Sequence, residues 1–248
     1  MRAWTLLLFG CLYVSTSVVR GQDTFSFILH DAETGAFVSA GGSCIDGDAI
    51  PGGAAAVSKV LPGVGVVHTQ SYYHPANQAL GTRLLRAGLS AKPVLDSLIA
   101  DDVSLTPGFR QYIIATSDGQ TALYTGTECA AWAGHRSGPG YAMAGNILLD
   151  STILLRMQGA LLAARARGAS LIDQARATLR AAAVPGADKR CLDAGISCRS
   201  AFLRMALPGD NPDELAVDAR VLYPQDGRDP IASLLERLDA GGAAPSPE

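Results

Sequence analysis

Thr24 stands three residues behind a leader-like segment. A threonine that becomes the first residue of a processed chain can act as a nucleophile whose base is its own α-amine, a group of unperturbed pKa about 8. The same position also fits an ordinary strand residue, since Thr24 to His30 is a run of aromatic, branched and apolar types. Ser43, at the end of the next apolar run, either lines a cleft or belongs to the glycine-rich crossing that follows it. The densest polar and glycine stretch runs from Thr125 to Gly140 and continues through Tyr141 to Ile147. With Trp132, His135 and Asn146 in it, it is the kind of irregular segment on which a rigid scaffold carries a site. An ordered connection held by Cys129 is the plainer alternative. His68 shares a face with Val64 and Val66 and reads as a satisfied, partly buried histidine. His68 and His74 do not make a metal pair, because a loop and not one helical turn separates them.

The elements that must position these residues follow from periodicity. Thr24 to His30 and Ala36 to Ala40 form a hairpin around Asp31 to Gly35, and Gly63 to Gln70 is a near-continuous apolar strand buried on both faces. Leu80, Leu84, Leu85 and Leu89 mark a helix. A second follows, capped by Ser90 or started by Pro93, with Val94, Leu95, Leu98 and Ile99 as its stripe. Phe109 to Thr116 and Thr121 to Gly126 flank Asp118-Gly119 as a hairpin. A long helix begins at Asp150 or Ser151 and another at Ser170, then Ser200 to Met205 and Leu215 to Tyr223 read as strands and Ile231 to Leu238 as a last helix. Helices in pairs and strands in hairpins argue against alternating parallel units. The expectation is α+β: a four-layer αββα sandwich of antiparallel sheets covered by helix pairs.

The 248 residues are 48% hydrophobic and 17% charged, enough apolar material for a core and unlike a disordered chain. Met1 to Gly21 has Arg2, an apolar run from Leu6 to Val14 and a small-residue exit at Val19 and Gly21, the pattern of a secretory signal peptide. A lipoprotein leader ending at Cys11 is disfavoured by bulky Phe9 and so early a cysteine. Losing Arg2 and Arg20, two positive charges, takes the net charge from −3 to −5, which leaves no footprint for nucleic acid or a membrane surface. The expected organisation is a signal peptide at 1–21, one domain at 22–239 and a disordered tail at 240–248, in a secreted or periplasmic protein. Export makes disulfides the default for Cys44, Cys129, Cys191 and Cys198. The close pair Cys191 and Cys198 is expected to close its own loop, leaving Cys44 with Cys129. A tetrathiolate zinc site lacks the usual ligand spacing, so neither metal nor cofactor is expected.

Several segments together resemble the domain of unknown function family 1028. They are Thr24-Phe25-Ser26, Asp31 to Gly35, Ser43, Gly63-Val64-Gly65 with Thr69-Gln70, Leu85 to Ser90, Arg110-Gln111, Thr125-Gly126 with Trp132 to His135, Gly145 to Leu148, and Asp188 with Arg190. Their order spans nearly the whole mature chain, and the cysteines suggest an exported branch. The resemblance implies a fold like that of N-terminal-nucleophile hydrolases and, by analogy, amide-bond hydrolysis. It implies Thr24 as nucleophile, Asn146 or backbone amides at the oxyanion, and Ser43, Thr69, Arg110, His135, Asp188 and Arg190 as residues that fix substrate or tune charge. Two departures stand out. Gln22 and Asp23 remain ahead of Thr24 after signal cleavage, and Cys44 stands where many relatives carry a basic residue.

The expected function is therefore an exported hydrolase of a small amide or peptide. A threonine or serine served by His135 is the fallback mechanism, and a non-catalytic binding or scaffold protein on the same fold is the alternative. The partners expected are a small-molecule amide or peptide substrate and a second copy of the chain.

Overall fold

The computed structural model describes residues 24–224 and 227–241. The expected leader at 1–21 and the tail from 242 onward lie outside the described residues. β1 (Thr24–His30) pairs antiparallel with β2 (Phe37–Ser43), from Thr24 opposite Ser43 to His30 opposite Phe37. Asp31 fixes the turn: its Oδ1 accepts from the Glu33 N–H at 3.0 Å and its Oδ2 from the Thr34 hydroxyl at 2.9 Å, and Gly35 takes φ +70°.

Then come β3 (Ser58–Leu61), β4 (Gly65–Gln70), α1 (Pro75–Arg86), α2 (Ala91–Ala100), β5 (Gln111–Thr116), β6 (Thr121–Thr125), β7 (Gly134–Gly138) and β8 (Tyr141–Gly145). The remainder is α3 (Thr152–Ala166), α4 (Leu171–Ala182), β9 (Ser200–Ala206), β10 (Val217–Val221) and α5 (Pro230–Asp239). The result is a mixed α+β fold with two antiparallel sheets, of order β10-β9-β2-β1-β8-β7 and β3-β4-β5-β6, and five helices. The helix starts carry the expected local chemistry. Pro75 and Pro230 occupy first turns, Asp229 Oδ1 accepts from the Ile231 N–H at 2.9 Å, and Ser170 Oγ accepts from the Asp173 N–H.

One stretch differs from expectation. The glycine-rich segment after Thr125, read as irregular, contains the β7–β8 hairpin. β7 is a polar edge strand, Gly-His-Arg-Ser-Gly, that has no apolar alternation to betray it, whereas β8 lies buried between β1 and β7. Gly140 closes the turn at φ +64°, with no room for a Cβ, which would sit 2.7 Å from the His30 carbonyl oxygen.

Strand alternation sorts most of the buried apolar side chains into three large clusters, with a small fourth of Ala54, Ala55 and Phe202. Phe25, Phe27, Leu29, Val38, Met143 and Leu203 meet Ile153, Leu154, Met157, Leu161, Leu179 and Leu234 of α3, α4 and α5. Val67, Tyr112 and Ile114 meet Leu85, Val94 and Leu98 of α1 and α2. Ile28, Phe37, Val60, Val66, Ile113, Ala115, Ala142 and Ala144 come from both sheets and pack against each other. At about 1.5–3 kcal/mol for each fully buried large side chain, these clusters hold the sheets in fixed register. The same parity puts Thr24, Ser26, Ser39, Ser43, Ser58, His68, Gln70 and Gln111 on the faces that look toward the opposite sheet. No helix among the described residues is long and apolar enough to cross a membrane.

A candidate active site in the polar seam between the sheets

At one end of the sheets the apolar inter-sheet core gives way to a chain of buried polar groups. Thr24, Ser26, Ser39, His68, Gln70, Gln111 and Asn146 are all essentially unexposed. Gln111 sets the orientation of the chain. Its Nε2 donates to the carbonyl oxygens of Gly145 at 2.9 Å and Gly134 at 3.1 Å, which can only accept. Its Oε1 therefore faces the other way and accepts from Gln70 Nε2 at 2.6 Å and Asn146 Nδ2 at 3.0 Å. That leaves Gln70 Oε1 to accept the Ser26 hydroxyl at 2.6 Å.

With its one proton so used, Ser26 Oγ must accept from His68 Nδ1 at 2.9 Å. His68 Nε2, 2.7 Å from Ser39 Oγ, is then the acceptor of the Ser39 hydroxyl, and Ser39 accepts in turn from Ser58 at 2.6 Å. The imidazole is neutral throughout: burial, reinforced by the charge of Arg204, pushes its pKa down to about 3. His68 is thus a satisfied core histidine and far too weak a base to serve a hydroxyl nucleophile near neutral pH.

The seam is incomplete where it reaches the strand ends. Thr24 Oγ1, Asn146 Oδ1 and Ser71 Oγ are buried and lack a hydrogen-bond partner. The first two are neighbours, because the Asn146 N–H donates to the Thr24 carbonyl at 3.2 Å. Ser71 and Ile147, the residues just past Gln70 and Asn146, hold φ of 55° and 49°, a region costly for any residue with a Cβ and most of all for a branched one. Unpaired polar atoms and backbone strain therefore coincide at one place, as they do where a fold is shaped for a ligand or a reaction.

Asp188 joins this end from the other side of Ser43. Its buried carboxylate accepts from the Cys44 N–H at 2.7 Å and pairs with Arg190, while the Lys189 N–H bonds the Ile147 carbonyl at 2.9 Å. The disulfide here is Cys44–Cys191, with Cα atoms 5.7 Å apart, and this corrects the expected pairing of Cys191 with Cys198 and Cys44 with Cys129. The cause is the short turn Lys189–Cys191, which Asp188 docks against Cys44. Cys198 is a buried thiol packed against Gly42, where burial pushes its pKa up, and Cys129 Sγ approaches the Arg110 carbonyl at 3.3 Å.

The family's sequence model matches residues 24–234, so its match begins at the threonine in this seam. The chain belongs to DUF1028, a family of unknown function. Among solved structures it is similar to protein SPO2555 from Silicibacter pomeroyi, described as a DUF1028 protein. The two share 23% identity and a TM-score of 0.68 over 90% of this chain and 91% of that one, a likeness of fold. No curated protein matches the chain.

In this DUF1028 chain the expected site residues divide. Thr24, Ser43, Asn146, Asp188 and Arg190 gather at the strand ends. His135, on the edge strand, lies at the rim, its Nδ1 2.8 Å from Thr125 Oγ1, which also receives Gln111 Nε2 at 2.9 Å; partial burial lowers its pKa. Thr69 and Arg110 are elsewhere. Thr69 points the opposite way from His68 and Gln70 and receives Gln78 Nε2 of α1 at 3.4 Å. Arg110 turns toward α2, where its Nε meets Asp102 Oδ2 at 2.7 Å. Neither faces Thr24, because strand parity sends both to the helix side. Asn146, expected at the oxyanion, commits one amide hydrogen to Gln111 and retains the other, with its Oδ1 open as an acceptor. Ser26, Gln70 and Gln111 complete the seam although the sequence alone gives them no role. The signal for them is polar residues at alternate positions of apolar strands, as in Val66, His68 and Gln70.

Proposed function

We propose that this DUF1028 chain is an exported hydrolase of a small amide or peptide C–N bond, built as a four-layer αββα sandwich of the N-terminal-nucleophile type. The observation that carries the reading is the unpartnered Thr24 Oγ1 beside the unpartnered Asn146 Oδ1, at the end of a seam whose Ser26, His68, Gln70 and Gln111 side chains are all bonded. Release of Thr24 from Asp23 supplies a basic α-amine. Thr24 Oγ1 then attacks the substrate carbonyl carbon as the amine takes its proton, and the oxyanion is held by backbone N–H groups and the second hydrogen of Asn146 Nδ2. Collapse breaks the C–N bond, the leaving nitrogen takes the proton, and water hydrolyses the Thr24 ester to release a carboxylate. Asn146 Oδ1 is the natural acceptor for the freed amine, and Asp188 with Arg190 braces Ser43 and Cys44 at the edge of the site.

The disulfide and the leader-like first 21 residues support export. The decisive measurement pairs the intact mass of the secreted protein with an amidase assay on the same sample. A chain beginning at Thr24 that turns over is the expected result; turnover by a chain that still carries Gln22 and Asp23 rules the mechanism out. The burial of Thr24 favours one second reading, a secreted binding protein that keeps the fold without the chemistry. Ligand binding with no turnover in the fully processed chain would establish it.

A further inference from the structure

We propose that the groove between α1 and the edge strand β3 is a second site, which binds the phosphate of a small soluble monoester. The groove measures about 500 Å³, within the range of small-molecule sites. One face of α1 forms its wall: Pro75, Gln78, Ala79, Thr82, Arg83 and Arg86 recur at three- and four-residue steps, so a single helical stripe lines it from end to end. Helical side chains lean back toward the N-terminus, which lays Arg83 over the turn at Ala79 and Arg86 over the turn at Thr82.

Lys59 reaches the groove from the sheet. It is opposite Val67 of β4, whose side chain packs under α1, where a Cβ on Gly81 would sit 3.2 Å from Val67 Cγ2. Neighbouring strands are about 4.8 Å apart, so Lys59 lies one strand outward from that contact, on the same face and beside Thr82. Tyr73 adds an aromatic wall.

The side chains of Lys59, Arg83 and Arg86 make no hydrogen bond or ion pair among the described residues, and no carboxylate lines the groove. A chain of net charge −3 thus gathers three free cations in one concavity. Arg83 and Arg86 complement the negative end of the α1 dipole, but the dipole accounts neither for Lys59 on another element nor for the lack of acidic neighbours. Two guanidinium forks and an ammonium match a phosphate dianion, which brings more negative charge than a carboxylate or a sulfate ester. Tyr73, Pro75 and Ala79 offer apolar surface to the organic part of the ester.

The site is separate from Thr24. Lys59 shares its face with Val67 and Thr69, on the helix side of the sheet, whereas His68 and Gln70 point into the seam. The proposal therefore stands independently of the hydrolase reading.

Titration calorimetry on the full secreted chain tests it, with phenyl phosphate, phenyl sulfate and phenol, well above the second phosphate pKa of about 6. Saturable binding of phenyl phosphate, at least tenfold weaker for the sulfate and absent for phenol, is expected. Arg83→Gln with Arg86→Gln, at exposed positions and with good helix formers, should weaken it at least tenfold, and Lys59→Gln should weaken it severalfold. Thr24→Val and Arg180→Gln, an exposed cation on α4, should leave it unchanged. Absence of binding, equal binding of the sulfate, indifference to the Arg83 and Arg86 changes, or equal loss with Arg180→Gln each overturns the proposal. Vesicles carrying phosphatidic acid separate a lipid headgroup from a soluble ester: binding of phenyl phosphate without retention on the vesicles supports the proposal, and retention without binding of phenyl phosphate overturns it.

Discussion

Two buried polar networks lie on opposite faces of β5, and they are built on different principles. Under α1 and α2, Asp102 accepts from Arg110 Nε, Asn77 Nδ2 and the N–H groups of Ser104 and Thr106, while Asn77 also donates to the Tyr112 hydroxyl. Every member is charged or bonded to a charge, and none is left over. Between the sheets, the seam from Ser58 to Asn146 is neutral throughout and ends in unpaired atoms. A network that closes on itself stabilises the fold. One that stops short, beside strained backbone, has kept capacity for something that binds there.

The contrast can be broken most directly at Arg110. Arg110→Met strands the Asp102 carboxylate and should cost about 3–5 kcal/mol in chemical denaturation, while the folded fraction keeps the turnover proposed for the wild-type chain. Selective loss of activity with stability intact would move Arg110 into the site after all.

Acid separates the networks next. His68 is held at about 3 when folded and titrates near 6.5 when unfolded, so it favours the folded chain fully only above 6.5. As pH falls from there toward 3 the unfolded state takes up the extra proton, and stability drops by about 1.4 kcal/mol per pH unit. Asp102 behaves in a lower window. Burial alone would raise its pKa, but the hydrogen bonds from Arg110, Thr106 and Asn77 hold it at about 2 against 3.8, so its contribution is lost only as pH falls from about 4 toward 2. His68→Gln should flatten the upper window in a pH series of melts and leave the lower one; a series unchanged by the substitution would contradict the neutral-seam assignment.

Gln111→Leu removes the residue that orients the seam. It should cost about 1–3 kcal/mol through the stranded amides of Gln70 and Asn146, and abolish turnover by releasing Asn146. The smallest stability effect is expected at Thr24. Thr24→Val deletes a hydroxyl that bonds nothing, so stability should change by less than about 1 kcal/mol while turnover disappears. A large destabilisation would mean that this hydroxyl has a structural partner.

Much of this architecture is legible in the amino-acid order, because apolar periodicity and turn chemistry are local. The Asp31–Gly35 hairpin, the helix pairs and the Asp118-Gly119 turn come from neighbouring residues alone. β7 was invisible since an edge strand of His, Arg and Ser satisfies its backbone without an apolar signature. The site was legible only in part. Thr24, Ser43 and Asn146 could be named, but which way a side chain points depends on parity relative to a sheet whose partners are far off in sequence. Thr69 and Arg110 turn to the helix side for that reason, and the part Gln70 and Gln111 play in the seam shows only once the sheets are paired. The disulfide pairing failed likewise: proximity along the chain favoured Cys191 with Cys198, whereas three-dimensional docking by Asp188 joins Cys191 to Cys44.

That bridge spans 147 residues, so, under the proposed export, it would set a timetable for a chain threaded outward N-terminus first. Cys44 would arrive in an oxidising compartment with Cys129 as the earlier available partner, and only the late arrival of the Lys189–Cys191 turn offers the correct one. Maturation would then depend on a thiol–disulfide isomerase, and cells lacking one should accumulate a misbridged species, resolved by non-reducing electrophoresis, in which Asp188 has never docked against Cys44.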